Sequence, residues 1–386
     1  MADIKKKKIV VVGGGGAGAS IVRGLSKVLD PSKHELMLIT ARPQFAYLPA
    51  SLRVLVSPDA PINMVFMPYD TVFAQFPGEL KIGTVSSIEE NKDGPGGRVI
   101  LRGGEEVAYD VLAVATGSAW EGLVSFPDEE NLYKEHIALW RNKFETAQDI
   151  IIVGGGAVGI EAAGEIKDVY PDKNVTIVQG GKYLLTDIYP RKFRVDLERR
   201  LRLRGVKIVF EDHIDGHPEV GSDTPLKTRK GTPLKCDLLL SARGAGPNTS
   251  LLKFLQPASL TDRGLVQVLP SLQVRNHPTI FAAGDITDLQ EAKQFQKTAG
   301  HAAVIVENIM SYLQGQQLKA ECKPGKEIII ISNGRHGGAA YIGVLWGFRF
   351  GDIFTRLAKS RDLLVWVVRR NLGFLRAVNL PTSVVV

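Results

Sequence analysis

The chain has little cysteine. Cys236 and Cys322 are the only two among 386 residues, and they form no C-x-x-C pair. That excludes a disulfide framework, argues against a redox-active dithiol and fits a reducing, intracellular setting. There is also no apolar run long enough to cross a membrane as a helix. No low-complexity tract occurs, and no metal site is expected. The first strand is expected at Ile9, directly after Lys5-Lys6-Lys7-Lys8, which leaves no room for a signal or transit peptide. Ala2 takes the place of the glycine that N-myristoylation needs.

What is present describes a globular protein of two or three domains. Hydrophobic residues make up 44% and charged ones 23%, an ordinary soluble balance. The net charge is +7, and residues 341–386 alone carry seven basic side chains (Arg349, Arg356, Lys359, Arg361, Arg369, Arg370, Arg376) against Asp352 and Asp362. Two readings of that excess stand. One is a solvated basic face. The other is a surface for anionic partners: nucleotide phosphates, a membrane or lipid-droplet surface, or nucleic acid, the least favoured of the three.

One glycine-rich unit occurs twice. Val10-Val11-Val12 leads into Gly13-Gly14-Gly15-Gly16-Ala17-Gly18, and Ile151-Ile152-Val153 leads into Gly154-Gly155-Gly156-Ala157-Val158-Gly159. Each follows a β-branched run and opens a segment that reads as helix. A diphosphate needs backbone N–H donors and the positive end of a helix. The first glycine permits the tight turn, the second lets backbone approach the pyrophosphate, and the third lets helix pack on strand. Two such loops point to two dinucleotides held against each other, so that electrons pass between them.

The acid that usually follows such a loop by about 20 residues is missing in both copies. Thr40 and Arg42 stand there in the first copy. Gln179, Gly180, Gly181 and Lys182 stand there in the second. Without a carboxylate to repel a 2′-phosphate, and with Lys182 to attract one, NADPH is expected to serve at least as well as NADH.

The expected elements are a strand Ile9–Val12, a helix from Gly16 to Leu29 and a strand Leu36–Ile39. Residues 43–75 read as an irregular excursion over a cleft. Strands Leu80–Ile88 and Arg98–Leu101 follow, and Tyr109–Gly117 reads as a buried parallel strand ending in the small turn Ala115-Thr116-Gly117. The second unit has a helix Val158–Val169 and a strand Val175–Val178. Helix Arg191–Arg204 and strands Val206–Phe210 and Asp237–Ser241 complete it. Strands Glu327–Ser332 and Ala340–Val344 precede a helix near Asp352–Val368. Around that helix the stretch from Trp346 to Leu357 mixes large apolar and basic residues. Phe350, Ile353, Phe354, Leu357 and Leu364 can share one face, which suits either packing on the first domain or a membrane-leaning lip.

These pieces resemble the pyridine nucleotide-disulfide oxidoreductase type of two-dinucleotide flavoprotein. The loop at Gly13, the Ala115-Thr116-Gly117 turn, the loop at Gly154, the turn from Ala242 to Asn248 and the Gly284-Asp285 strand end occur in that family's order. Residues 160–167, 285–301 and 357–363 are similar to the branch of apoptosis-inducing-factor-like and ferroptosis-suppressor-like proteins.

The resemblance implies an α/β fold of two Rossmann-like units plus a small α+β C-terminal domain. The FAD-binding domain would be residues 1–122 and 251–324, the NAD(P)H-binding domain 123–250, and residues 325–386 a quinone- or membrane-facing piece. It implies FAD at Gly13, Gly15, Gly16, Ala17, Gly18, Thr40, Arg42, Ala115, Thr116, Gly117, Asp285 and Lys293. It implies NAD(P)H at Gly154, Gly156, Ala157, Val158, Gly159, Glu161, Gln179, Lys182 and Gly244. Glu161 and Lys293 would be catalytic, the first near the nicotinamide and the second at the start of a helix beside the flavin. Two alternatives stay open: Glu161 as an acid stabilised by its helix dipole, and Lys293 as a surface lysine. His301 matches the family and equally suits a core or capping role.

The activity implied is NAD(P)H:quinone oxidoreduction by a cytoplasmic protein, free or peripheral on a lipid droplet, the mitochondrial outer membrane or another membrane. The alternatives are reduction of another small acceptor, or a redox-sensing signalling flavoprotein with little turnover.

Overall fold

The computed structural model describes residues 5–374 except 217, 219–224, 324, 345 and 346. Trp346 and Arg376 therefore lie outside the described residues. Among the described residues the α-helices are α1 (Gly16–Leu25), α2 (Ser51–Val56), α3 (Glu130–Thr146), α4 (Ala157–Val169), α5 (Arg191–Leu203), α6 (Thr298–Leu313), α7 (Asp352–Thr355) and α8 (Val365–Leu372).

Strands rich in valine, isoleucine and leucine build two mainly parallel sheets. The first runs Gln273–Val274, His277–Ala282, Val111–Val114, Lys7–Val12, His34–Thr40, Glu79–Ile82, with only the first pair antiparallel. Its inner strands are buried along nearly their whole length, as expected of a parallel sheet covered on both faces. Helices α1 and α6 pack together on it, and the absent side chain at Gly24 leaves room for Val306. The second sheet runs Lys207–Phe210, Asn174–Gln179, Asp149–Val153, Leu238–Ser241, all parallel.

In both sheets the strand that feeds the glycine loop lies between two parallel neighbours. Each loop therefore opens at the carboxyl edge of its sheet, where doubly wound folds bind ligands. Two short threads, Ser118–Ala119 and Gly246–Pro247, pair antiparallel and carry the chain between the sheets. Beyond them, Ile328–Ser332, Gly338–Ile342 and Phe348–Phe350 form a small antiparallel sheet that α7 and α8 follow. The architecture is thus the expected one: two Rossmann-like units and a small α+β piece.

One helix was not anticipated, and three local expectations need correction. Helix α3 was not legible from the pattern. It lies on the first unit: Arg141 donates to the carbonyls of Val54 (3.0 Å) and Ala60 (2.7 Å), and Tyr133 stacks on Phe66. The single strand Leu80–Ile88 is two strands, because Gly83 closes the parallel edge and Val85–Glu90 turns into an antiparallel meander with Gly97–Leu101. The first helix ends at Leu25, not Leu29. The helix over 352–368 is broken: Arg356–Ser360 forms a π turn, and Leu363 and Leu364 adopt left-handed φ of 55° and 59° before α8 begins. Phe350, Ile353, Phe354, Leu357 and Leu364 therefore do not lie on one continuous helix. Ile353 and Leu357 stand 80% and 68% exposed, while Leu363 is buried.

Candidate functional site

The two glycine loops have the same skeleton. Gly13 N–H donates to Ile39 O (2.8 Å) and Gly154 N–H to Val178 O (2.9 Å). Ala115 N–H donates to Val12 O (2.7 Å) and Ala242 N–H to Val153 O (2.8 Å). Gly13 and Gly154 take positive φ of 105° and 113°, which disfavours any side chain. A methyl group on Gly18 would collide with the Gly13 carbonyl, and one on Gly159 with the Gly154 carbonyl. Gly15 and Gly156, each preceding its helix, face open space instead. Neither α1 nor α4 has a side-chain cap or an acid in its first turn. Both helix N-termini therefore present unpaired donors toward a roomy, backbone-lined cradle, which fits a diphosphate.

The ribose ends differ. Thr40 is buried under Tyr69, whose hydroxyl donates to Gly14 O at 2.7 Å. Burial pushes the Tyr69 phenol up to about 12, so it stays a donor. Arg42 is committed elsewhere, to Phe126 O (2.7 Å) and the Asp128 carboxylate (2.9 Å). On the second loop Gln179 Oε1 accepts from Gly155 N–H (2.9 Å), while its Nε2 donates to Tyr183 O (3.0 Å). Lys182 is exposed and has no ion-pair partner among the described residues. Gly244 has a φ of 101° just past Ala242.

The two units meet at their turns. Thr116 Oγ1 donates to Asn248 O (2.5 Å), and Asn248 N–H donates to Gly117 O (2.9 Å). On the same thread Ser118 donates its hydroxyl to Asp285 Oδ2 at 2.6 Å. Asp285 follows Gly284, whose N–H donates to His301 Nδ1 (3.0 Å). His301 is buried and its Nε2 lies 3.1 Å from Glu291 Oε1. The ring thus acts as a brace behind the Asp285 turn. Burial alone would raise the Glu291 pKa, but His301 and the nearby Lys297 and Lys293 hold it below the ordinary value.

Lys293 does not start a helix, because α6 begins only at Thr298. Its ammonium turns back onto the carbonyls of Thr287 (2.8 Å) and Leu289 (3.3 Å), and burial lowers its pKa.

Glu161 sits in the second turn of α4 and is held by the C-terminal piece. Its Oε1 accepts from Ser332 N–H and Oγ (both 2.9 Å) and from Lys359 Nζ (2.6 Å). Lys359 comes from the π turn, a distortion that often marks functional positions. One turn further along α4, Glu165 pairs in bidentate fashion with Arg53 of α2 (3.0 and 2.8 Å). Both side chains are almost fully buried, and Arg53 also donates to the carbonyls of Ser360 and Arg361. Sequence reasoning missed Lys359, Ser332 and this pair. The available signal was Glu161 and Glu165 at i, i+4 within the apolar stretch Ala157–Ile166: two acids on one buried face require two cations. Among the described residues no cluster suited to a metal ion forms, and no helix is long and apolar enough to cross a membrane.

Comparison with known proteins places this geometry. A family model described as pyridine nucleotide-disulphide oxidoreductase matches residues 7–307. The FAD-dependent oxidoreductase FVFD30 of Flammulina velutipes is 41% identical over 307 residues, 80% of this chain and 95% of that protein. Ferroptosis suppressor protein 1 of Mus musculus is 30% identical over 338 residues, 85% and 87% of the two chains. The apoptosis-inducing factor homolog A of Dictyostelium discoideum is 28% identical, covering 88% and 86%. Among solved structures, the sulfide:quinone oxidoreductase from Aquifex aeolicus shares the fold with a TM-score of 0.73 at 15% identity, covering 95% and 92%.

Proposed function

The chain belongs to the pyridine nucleotide-disulphide oxidoreductase family as an FAD-dependent oxidoreductase of NAD(P)H, and from that premise we propose that its electron acceptor is a quinone. We take residues 1–122 and 251–324 as the FAD unit, 123–250 as the NAD(P)H unit and 325–386 as the acceptor-facing unit. FAD bound at the Gly13 loop supplies the hydride acceptor and two-electron donor. The chain's own part is to bind, orient and tune charge.

One observation carries this reading. The turn beside the first pyrophosphate cradle is tied to the turn beside the second by the paired threads Ser118–Ala119 and Gly246–Pro247 and by the Thr116–Asn248 bond. Glu161 and Lys359 lie where the second unit meets the C-terminal piece. There Lys359 and Ser332 converge on one oxygen, Oε1, of the Glu161 carboxylate and hold it in one orientation. Asp285, set by Ser118, presents a carboxylate to hydroxyl groups beside the first loop. We assign Lys293 to the same side, where its ammonium stiffens the turn that follows Asp285.

The absence of a carboxylate at Gln179, together with the free ammonium of Lys182, supports NADPH as donor. The exposed Ile353 and Leu357, flanked by the exposed Arg356 and Arg361, support contact of this face with an anionic lipid surface from which a lipid-soluble quinone comes. The two homologues named for ferroptosis suppression and apoptosis induction agree with this assignment of the branch.

The test is optical. The purified protein should be yellow, bleach on anaerobic addition of NADPH, and regain its colour when a soluble quinone is added. A colourless protein that FAD does not reconstitute overturns the reading. A flavin that NADPH bleaches but quinone leaves bleached overturns the acceptor alone.

A further inference from the structure

The first glycine loop is ringed by aromatic side chains, whereas among the described residues no ring is nearest to Gly154, Gly155, Gly156 or Gly159 of the second. Tyr69 rests on Gly14, and the ring of Phe295 fills the space a side chain at Gly16 would need. Phe45 joins these two edge-on, at 6.4 Å from each, and Tyr47 meets Phe295 at 4.9 Å. The fifth ring comes from the far end of the chain. Phe374, only 1% exposed, lies 5.1 Å from Phe45 and 6.0 Å from Tyr69.

The segment that delivers Phe374 is strapped across the first unit. Tyr47 donates its hydroxyl to Leu363 O (2.9 Å) at the left-handed turn. Arg369 donates to Asn63 O (2.7 Å), and Thr71 Oγ1 donates to Gly373 O. Arg23 of α1, the helix of the first loop, reaches Thr71 O (2.6 Å). Four points of attachment run from residue 363 to residue 374. Each one lands on the unit that holds the first loop.

We propose that residues 363–374 are a retention strap for FAD, in which Phe374 locks Tyr69 and Phe45 against the Gly13 loop so that FAD is resident while NAD(P)H exchanges. It rests on the assignment of FAD to that loop. Edge-to-face ring contacts and the Tyr69–Gly14 bond fix the loop carbonyl and with it the direction of the neighbouring N–H donors. Loss of Phe374 frees Tyr69 to swing and loosens the cradle. Among the described residues the second loop has no such aromatic lid: Gly155 is held by the Gln179 amide and by Leu185, whose N–H donates to Gly155 O (2.8 Å).

The test uses the full chain, loaded with FAD and freed of excess, with flavin release followed by fluorescence. Phe374→Ala should release FAD at least about tenfold faster than the parent, and Thr71→Val a few-fold faster. Trp366→Ala, on the exposed side of α8, should not change release. NADPH affinity should stay the same in all three, which a general loss of structure would not allow. If Phe374→Ala fails to fold, Thr71→Val decides. Release at the parental rate from the altered chains overturns the strap alone. A parent chain that takes up no FAD overturns the cofactor assignment and the strap with it.

Discussion

At the first glycine loop Tyr69 and Phe295 press on Gly14 and Gly16, and Phe374 closes over them from the other end of the chain. At the second loop Gly155 meets Leu184 and the Gln179 amide, its carbonyl accepts from Leu185 N–H, and Lys182 is exposed with no ion-pair partner among the described residues. The backbone beneath is nearly the same in both. The glycines at 13 and 154 turn alike, those at 18 and 159 allow the same close approach, and those at 15 and 156 face the same open side. A pyrophosphate cradle is thus a local device that can be copied. Whether its ligand stays or leaves is set by what the rest of the fold packs around it.

The most direct way to break the comparison is to damage each loop in turn. Gly18→Ala forces a methyl group into the Gly13 carbonyl and should abolish FAD binding, seen as loss of visible absorbance. Gly159→Ala puts the same strain on the second loop. It should leave the protein yellow while raising the KM for NADPH by about tenfold or more. If both variants lose FAD, the two loops are not separate sites.

The next effect concerns the joint between the units. Arg53→Met leaves Glu165 buried without its partner and should cost about 3–5 kcal/mol in chemical denaturation. The double change Arg53→Met with Glu165→Met should recover much of that, because it removes the uncompensated charge. A cost from the single change no larger than that of a surface substitution would mean the pair contributes nothing to holding α2 on α4.

A smaller effect should separate the loops by charge. Gln179→Glu keeps the acceptor for Gly155 N–H but adds the carboxylate that the second loop lacks. It should weaken NADPH about tenfold, or about 1.4 kcal/mol, and NADH much less, measured as the ratio of kcat/KM values. An unchanged ratio would remove the 2′-phosphate argument.

The smallest effect is one of pH. The Glu291 pKa is depressed in the folded chain, so its bond to His301 stabilises fully above its ordinary value of 4.5 and is lost as pH falls through the lower folded value. Glu291→Gln should lower Tm at neutral pH and flatten the acid limb of a Tm-against-pH curve, so that the variant and the parent converge in acid. Its brace acts on the Asp285 turn, so FAD retention in acid should follow the same curve. NADPH binding should not.

Much of this was legible from local pattern. The runs Val10–Val12, Ile151–Val153 and Val111–Val114 are apolar and continuous, and all became buried parallel strands. Helix α3 was not legible: its charged residues hide a sparse apolar stripe of Tyr133, Ile137, Trp140 and Phe144. The helix expected over 352–368 failed for a tertiary reason, because the chain has to turn at Leu363–Leu364 to lay α8 on the first unit. The candidate site divides in the same way. The glycines, the Ala115-Thr116-Gly117 turn and Asp285 are all local features. Lys359 lies 198 residues from Glu161 and Phe374 lies 305 residues from Tyr69, and no spacing rule joins them.

The sequence by itself determined the two cradles, since turn geometry, helix polarity and the third glycine's packing act within a dozen residues. Only the tertiary structure decided which cradle is enclosed, what holds Glu161 and which apolar side chains stay in solvent. Those outcomes depend on rings and charges brought together from distant parts of the chain. Burial makes such contacts strong, and the linear order of residues does not reveal which ones will be buried together.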